Sequence, residues 1–169
     1  MKRKRTSWIA IALLGASLLA GCGTADNASV HGDGHGHDHV HHTANGDLQE
    51  QTASVDQLPS FLDNQDPVVV ESYKIAAANF ELLSTIPCYC GCGESAGHKH
   101  NGNCFIKEEL PDGSIVWDDH GTRCGVCLEI AVISSKLKEA GKSDLEIRNY
   151  IDSQYQQGYA TPTPTPMPS

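Results

Sequence analysis

Hydrophobic and polar positions follow several different rhythms along this 169-residue chain, and each change of rhythm marks a new kind of segment. From Trp8 to Ala20 the chain is apolar with small residues near its end, behind the basic run Lys2, Arg3, Lys4, Arg5. A charged start followed by so short an apolar run reads as an export signal, not as a comfortable membrane span. Residues 22–57 then carry Gly, Ala, Asp, Asn, Ser, Thr and Gln with few large apolar side chains. Such a segment cannot repay the entropy of ordering, so a disordered tether is expected there. Helical spacing first appears in "DPVVVESYKIAAANFELLSTI", where Val70, Tyr73, Ala77, Phe80 and Leu83 recur on one face. Asp66 is placed to cap this helix, Pro67 suits its first turn, and Pro87 ends it.

Two short runs, "FIKEEL" and "SIVWDD", flank Pro111-Asp112-Gly113 and predict a β-hairpin from Cys104 to Trp117. Helical periodicity then returns. One helix starts near Cys124, presents Val126, Ile130, Ile133 and Leu137, and stops at Gly141. A second opens with the capping box Ser143–Glu146 and runs through Ile147, Tyr150 and Ile151. The tail "ATPTPTPMPS" is expected to be extended and exposed. The chain therefore divides into an export signal at 1–21, a tether at 22–57, one domain at 58–158 and a Pro/Thr-rich tail at 159–169. The expected class is α+β and mostly helical: a helix, a cysteine-rich loop, a hairpin and two more helices.

Cysteine placement changes the picture most. Of seven cysteines, six fall between Cys88 and Cys127. The seventh, Cys22, closes "LAGC" and resembles the lipobox of bacterial lipoproteins, in which that cysteine becomes the acylated N-terminus. The lipobox implies a chain held by acyl groups on the outer face of the cell membrane, with the bilayer as a partner. Removal of the signal leaves eight of the twelve basic residues against twenty-one acidic ones, a formal charge of −13. That balance argues against nucleic acid as a partner.

Within the tether, His31, His35, His37, His39, His41 and His42 alternate with small or acidic residues. Imidazoles on a flexible backbone can converge on Zn(II), Ni(II) or Cu(II) without any fold, so this tract is expected to be an accessory metal collector, the alternative being a solubilising spacer. In the domain, Cys88, Cys90 and Cys92 sit in one loop, Cys104 begins the hairpin, and Cys124 and Cys127 open a helix whose dipole favours thiolates. The order resembles a treble-clef zinc site, with a knuckle and a helix start supplying ligands. His98 and His120 lie within reach in sequence.

Three readings of these thiols stand side by side. Six thiols with two imidazoles exceed the four positions of one structural zinc, which implies several ions, disulfides, or thiols kept for chemistry. Export permits disulfides, yet cysteines one residue apart cannot bridge each other without severe strain. A redox protein would use Cys124 as the lower-pKa attacking thiol and Cys127 as its resolving partner. Coordination is the reading that employs cysteines and histidines together. Soft thiolates favour copper(I) or zinc(II), and the expected role is storage, sequestration or delivery by a monomer that meets a metal-donor or acceptor protein. Neither an esterase elbow, a phosphate-binding glycine loop nor a metalloprotease helix is present in the sequence, so an enzyme is not expected.

The run "PCYCGC", Pro87 to Cys92, followed by "GHKHNGNC" and "CGVC", resembles the PCYCGC motif-containing bacterial lipoproteins across the whole proposed domain. That resemblance implies an exported lipoprotein and carries no catalytic residue over. From Arg123 onward, "RCGVC…GKSDLEIRNYIDSQYQQGY" is also similar to the helical domain of membrane-tethered cytochrome c maturation proteins. Here Gly125 stands where that family has proline in its cysteine pair.

Overall fold

The computed structural model describes residues 40–169; Cys22, His31, His35, His37 and His39 lie outside them. Asp66 caps helix α1 (Pro67–Ala78) as expected, its side chain accepting from the Val68 N–H at 2.8 Å. The helix does not run on to Ser84. Asn79 leaves helical geometry, turning its amide back to the Ile75 carbonyl, and a separate short helix α2 (Phe80–Ser84) follows. Ile86 and Pro87 then carry the chain into the cysteine loop, which contains the one-turn helix α3 (Cys92–Ser95).

The expected hairpin forms between strands β3 (Ile106–Glu109) and β4 (Ile115–Asp118), paired antiparallel. Two strands that the hydrophobic pattern did not announce join it. Strands β1 (Val40–His42) and β2 (Leu48–Thr52) complete a four-stranded antiparallel sheet in the order β1-β2-β4-β3. Residues 40–57, expected to belong to the tether, instead carry these two strands, so the folded part reaches at least eighteen residues ahead of Leu58. Strand β2 turns polar residues inward. Glu50 accepts from the Ser60 N–H and hydroxyl at 2.6 and 2.8 Å, and Thr52 accepts from the Trp117 indole at 2.8 Å. A strand whose buried positions are satisfied by hydrogen bonds has no apolar alternation to read.

Helix α4 (Gly125–Glu139) buries Cys127, Ile130, Ala131, Ser134 and Ser135, a stripe at helical spacing rotated from the one expected. Val126, Ile133 and Leu137 only flank the core. Helix α5 (Asp144–Tyr155) carries the predicted capping box, with Ser143 and Glu146 bonded reciprocally, and buries Ile147, Ile151 and Tyr155. Tyr150 is exposed instead of lying on that face. Tyr73, Phe105 and Trp117 form an aromatic group at the centre of the core, Tyr73 meeting Phe105 edge-on at 5.1 Å. The class is α+β. Among the described residues no helix is long and apolar enough to cross a membrane.

Candidate metal centre

Three elements deliver the thiols to one place. In the near-extended stretch from Cys88 to Cys90, alternate side chains point to opposite sides. The two thiols turn inward, and Tyr89 turns away to donate to Asp152 at 2.5 Å and pack on Tyr155. Gly91, at φ 87°, makes the left-handed turn that brings Cys92 back toward the same point. Cys104 arrives at the end of a 3-10 turn leading into β3. Cys127 heads the buried stripe of α4, whereas Cys124 is the N-cap of that helix and stays half-exposed.

All six cysteines of the domain are free thiols. The sulfurs of Cys88, Cys90, Cys92, Cys104 and Cys127 all lie within 4.8 Å of one another. The closest approaches are Cys104–Cys127 at 2.8 Å, Cys88–Cys90 at 3.2 Å, Cys90–Cys127 at 3.5 Å and Cys92–Cys104 at 3.6 Å. The histidines extend this core in two directions. His98 and His120 join Cys92 and Cys104 in one set, and His120 joins Cys90 and Cys124 in another. Every cysteine and histidine proposed within the domain is thus gathered into one continuous constellation. His41 and His42 are not; they lie exposed on the edge strand β1.

Sequence reasoning missed two members of the site. Asp118 is 1 % exposed, and Asp47, expected in the tether, is 3 % exposed. Asp118 accepts from Gln49 at 2.8 Å and from the His120 N–H at 3.0 Å. Asp47 accepts from His120 Nδ1 at 3.2 Å and pairs with Arg123. The Nε2 of His98 faces both carboxylates at 3.9 Å, while its Nδ1 faces the Cys104 sulfur at 3.5 Å. Each imidazole therefore has carboxylate on one side and sulfur on the other, the arrangement by which a carboxylate orients a metal-ligating histidine. No spacing rule links Asp47 to Cys104. Glu108 and Glu109, by contrast, are exposed as expected.

The electrostatics show what five crowded thiols do without a cation. Hydrogen bonds from Cys104 and then Cys127 hold Cys88 far down, at about 3, and Cys90 is likewise lowered by Cys104 and Cys124. Burial pushes Cys104 well above the ordinary thiol range, and Cys127 is raised by its neighbour Cys104. Some thiols ionise only because others stay protonated and donate to them. A bound cation relieves that competition, since every thiolate then has a positive partner. Burial lowers His98 despite the nearby Asp118 carboxylate, leaving it in the neutral form that binds metals. His120 is raised to about 9, chiefly by its hydrogen bond to Cys90 and further by Asp47, with burial opposing. His100 takes no part in these sets; it packs edge-on against Phe80, and burial holds it down at about 4.

The Cys124–Cys127 pair does not stand apart as a redox couple. Cys127 meets Cys104 at 2.8 Å and Cys90 at 3.5 Å within the five-thiol set, and Cys124 is raised, because Cys90 and burial outweigh a hydrogen bond from Cys127. The lowered thiols are in the loop, at Cys88 and Cys90, and not at the helix start.

The loop that carries them is also the family signature. A family model matches residues 11–168, nearly the whole chain. The chain belongs to the proteins of unknown function with a PCYCGC motif. No curated protein and no solved structure matches it. In this member of the family, the motif places three of five clustered thiols and the backbone turn that aims them.

Proposed function

We propose that this PCYCGC protein is a lipid-anchored extracytoplasmic metal-binding protein, holding copper or zinc in its Cys/His cluster for sequestration, storage or handover. One observation carries the reading: five cysteine sulfurs within 4.8 Å of one another, bordered by two buried or half-buried imidazoles. Two thiolates on one tetrahedral zinc stand ~3.8 Å apart, given a Zn–S bond of about 2.3 Å. The Cys90–Cys127 and Cys92–Cys104 separations, 3.5 and 3.6 Å, are close to that spacing. Cys88 and Cys90, like Cys90 and Cys92, stand one residue apart and cannot bridge each other without severe strain. The imidazoles would also have no task in a disulfide scaffold.

The overlapping sets favour more than one ion. Cys90, Cys92, Cys104 and His120 each belong to two of them, so bridging ligands would join neighbouring ions. Cys90 and Cys124 are the half-exposed thiols, and His120 lies beside them. An incoming ion reaches this outer set first and passes inward through Cys90, which also belongs to the five-thiol set. The thiolate-rich interior suits copper(I), and the set containing imidazoles suits zinc(II) equally well. The acyl group on Cys22 would hold this store at the outer membrane face, with the His-rich segment ahead of the domain collecting ions.

Elemental analysis and thiol counting on protein purified anaerobically without reductant test the proposal. The expected result is two or more copper or zinc ions per chain, with thiols unreactive until a chelator is added. Metal-free protein without titratable thiols would replace this reading with a disulfide scaffold. Two thiols cycling with a mild oxidant would replace it with a redox role.

A further inference from the structure

The C-terminal tail reads as a free, extended segment, but the structure docks it along the cysteine loop. Each of Thr161, Thr163 and Thr165 precedes a proline, which biases the threonine backbone toward extended geometry before any contact forms. Prolines have no N–H, so from Thr161 to Pro166 only the threonines carry backbone donors, at alternate positions. The Thr163 N–H donates to the Cys88 carbonyl at 3.2 Å, and the Cys88 N–H donates to the Thr163 hydroxyl at 2.9 Å. The Ala160 N–H donates to the Tyr89 carbonyl at 3.0 Å. Farther on, Arg148 donates to the Thr165 hydroxyl at 2.8 Å and to the Pro166 carbonyl at 3.3 Å.

The seat is shaped for this occupant. A Cβ on Gly93 would lie 2.5 Å from the methyl of Thr163, so only glycine leaves room for it. Arg148 is 8 % exposed and fixed by Asp152 and the Thr85 carbonyl. Thr163 and Thr165 are half-buried, while Pro162, Pro164 and Pro166 face solvent. Prolines on the outer edge leave it without donors, so no further strand can add to it. Between tail and loop lies a groove of roughly 810 Å³, reaching from Gly91 and Gly93 to His98.

We propose that the face of the cysteine loop around Cys88, Tyr89 and Gly93 is a binding site for an extended Thr-Pro segment, occupied by the chain's own tail, and that its occupancy governs access to the inner thiols. The tail engages both backbone groups of Cys88 and packs on Gly93, the residue after Cys92, and Cys88 and Cys92 are each 1 % exposed. Release of the tail frees the loop to move and uncovers these two sulfurs. A donor or acceptor protein that presents an equivalent extended segment would open the loop by taking the tail's place.

The proposal rests on the metal reading for its purpose but not for its first test. In the metal-free, reduced protein, the rate at which a thiol reagent labels Cys88 and Cys92 is followed by mass spectrometry. Gly93→Ala, Thr163→Val and a chain ending at Tyr159 are compared with the full chain. Loss of the tail's hydrogen bonds should speed labelling of these two residues by about tenfold or more. A synthetic peptide of residues 160–169 added to the shortened chain should slow it again. In zinc-loaded protein the same variants should release metal to a chelator faster at unchanged stoichiometry. Equal labelling rates in all variants, or no effect of the peptide, would overturn the strap. Altered labelling in a protein that retains no metal would keep the strap and remove the metal reading instead.

Discussion

Asp47 and His120 meet at 3.2 Å across a separation of 73 residues, tying the turn between β1 and β2 to the outer edge of the thiol cluster. The carboxylate takes the Nδ1 side of the ring, and the set of Cys90, Cys124 and His120 forms around the rest of it. Asp47→Asn keeps the shape and removes the charge. Loss of such a ligand-orienting carboxylate typically weakens metal binding by about 10- to 100-fold. Competition with a chromophoric chelator should show that loss while circular dichroism stays unchanged. Unaltered affinity would mean that Asp47 serves only the fold.

Cys127 and Cys124 are three residues apart and should behave differently. Cys127 is buried within the five-thiol set, whereas Cys124 reaches only the outer one. Cys127→Ser is expected to lower the number of ions retained per chain. Cys124→Ser should leave that number within one ion and chiefly slow loading, measured by stopped-flow uptake of zinc. Equal losses from both substitutions would favour the redox pairing of these two residues.

Trp117 is fully buried, and its indole N–H donates to Thr52 at 2.8 Å. Thr52→Val preserves the shape but leaves that donor unpaired, at a cost of ~1–3 kcal/mol. A shifted denaturant midpoint with unchanged slope would register it. The same contact predicts that a chain trimmed to residues 58–158 is unstable, since it lacks β2 entirely.

The Ser143 hydroxyl accepts from the Glu146 N–H, and the Ser143 N–H donates to the Glu146 carboxylate at 2.9 Å, closing the cap of α5. Ser143→Ala should cost ~1 kcal/mol and leave metal content unaltered. The Ser143 N–H and Lys142 lower the Glu146 pKa from 4.5 to about 2. A carboxylate with a depressed folded pKa contributes stability above 4.5 and loses it as pH falls toward about 2. Glu146→Gln should therefore flatten that part of the acid unfolding profile. A profile unchanged by the substitution would show that the cap does not couple to stability.

Much of the helical half was legible in the chain. Asp66, Pro67, Ser143, Glu146 and Gly141 act over three or four residues, so caps and stops follow from local chemistry alone. The hairpin was legible for the same reason, through Pro111-Asp112-Gly113. The break at Asn79 was not, because its amide also meets Ser135 of α4 at 3.3 Å, a contact that no local rule supplies.

Sequence by itself determined which residues carry the chemistry: thiols grouped in a PCYCGC loop, one more at the hairpin and two at a helix start, with His98 and His120 between them. Tertiary structure alone decided what surrounds them. Asp47 and Asp118 join the site because β2 pairs with β4, with Gln49 opposite Asp118. That pairing is held by inward polar residues, Glu50 and Thr52, whose partners lie ten or more residues away. The tail docks because Gly93 leaves space for one methyl group and Arg148 offers donors, both provided by distant segments. Hydrophobic rhythm records burial only where burial is apolar. Where buried positions are met by hydrogen bonds from afar, only the folded chain reveals them.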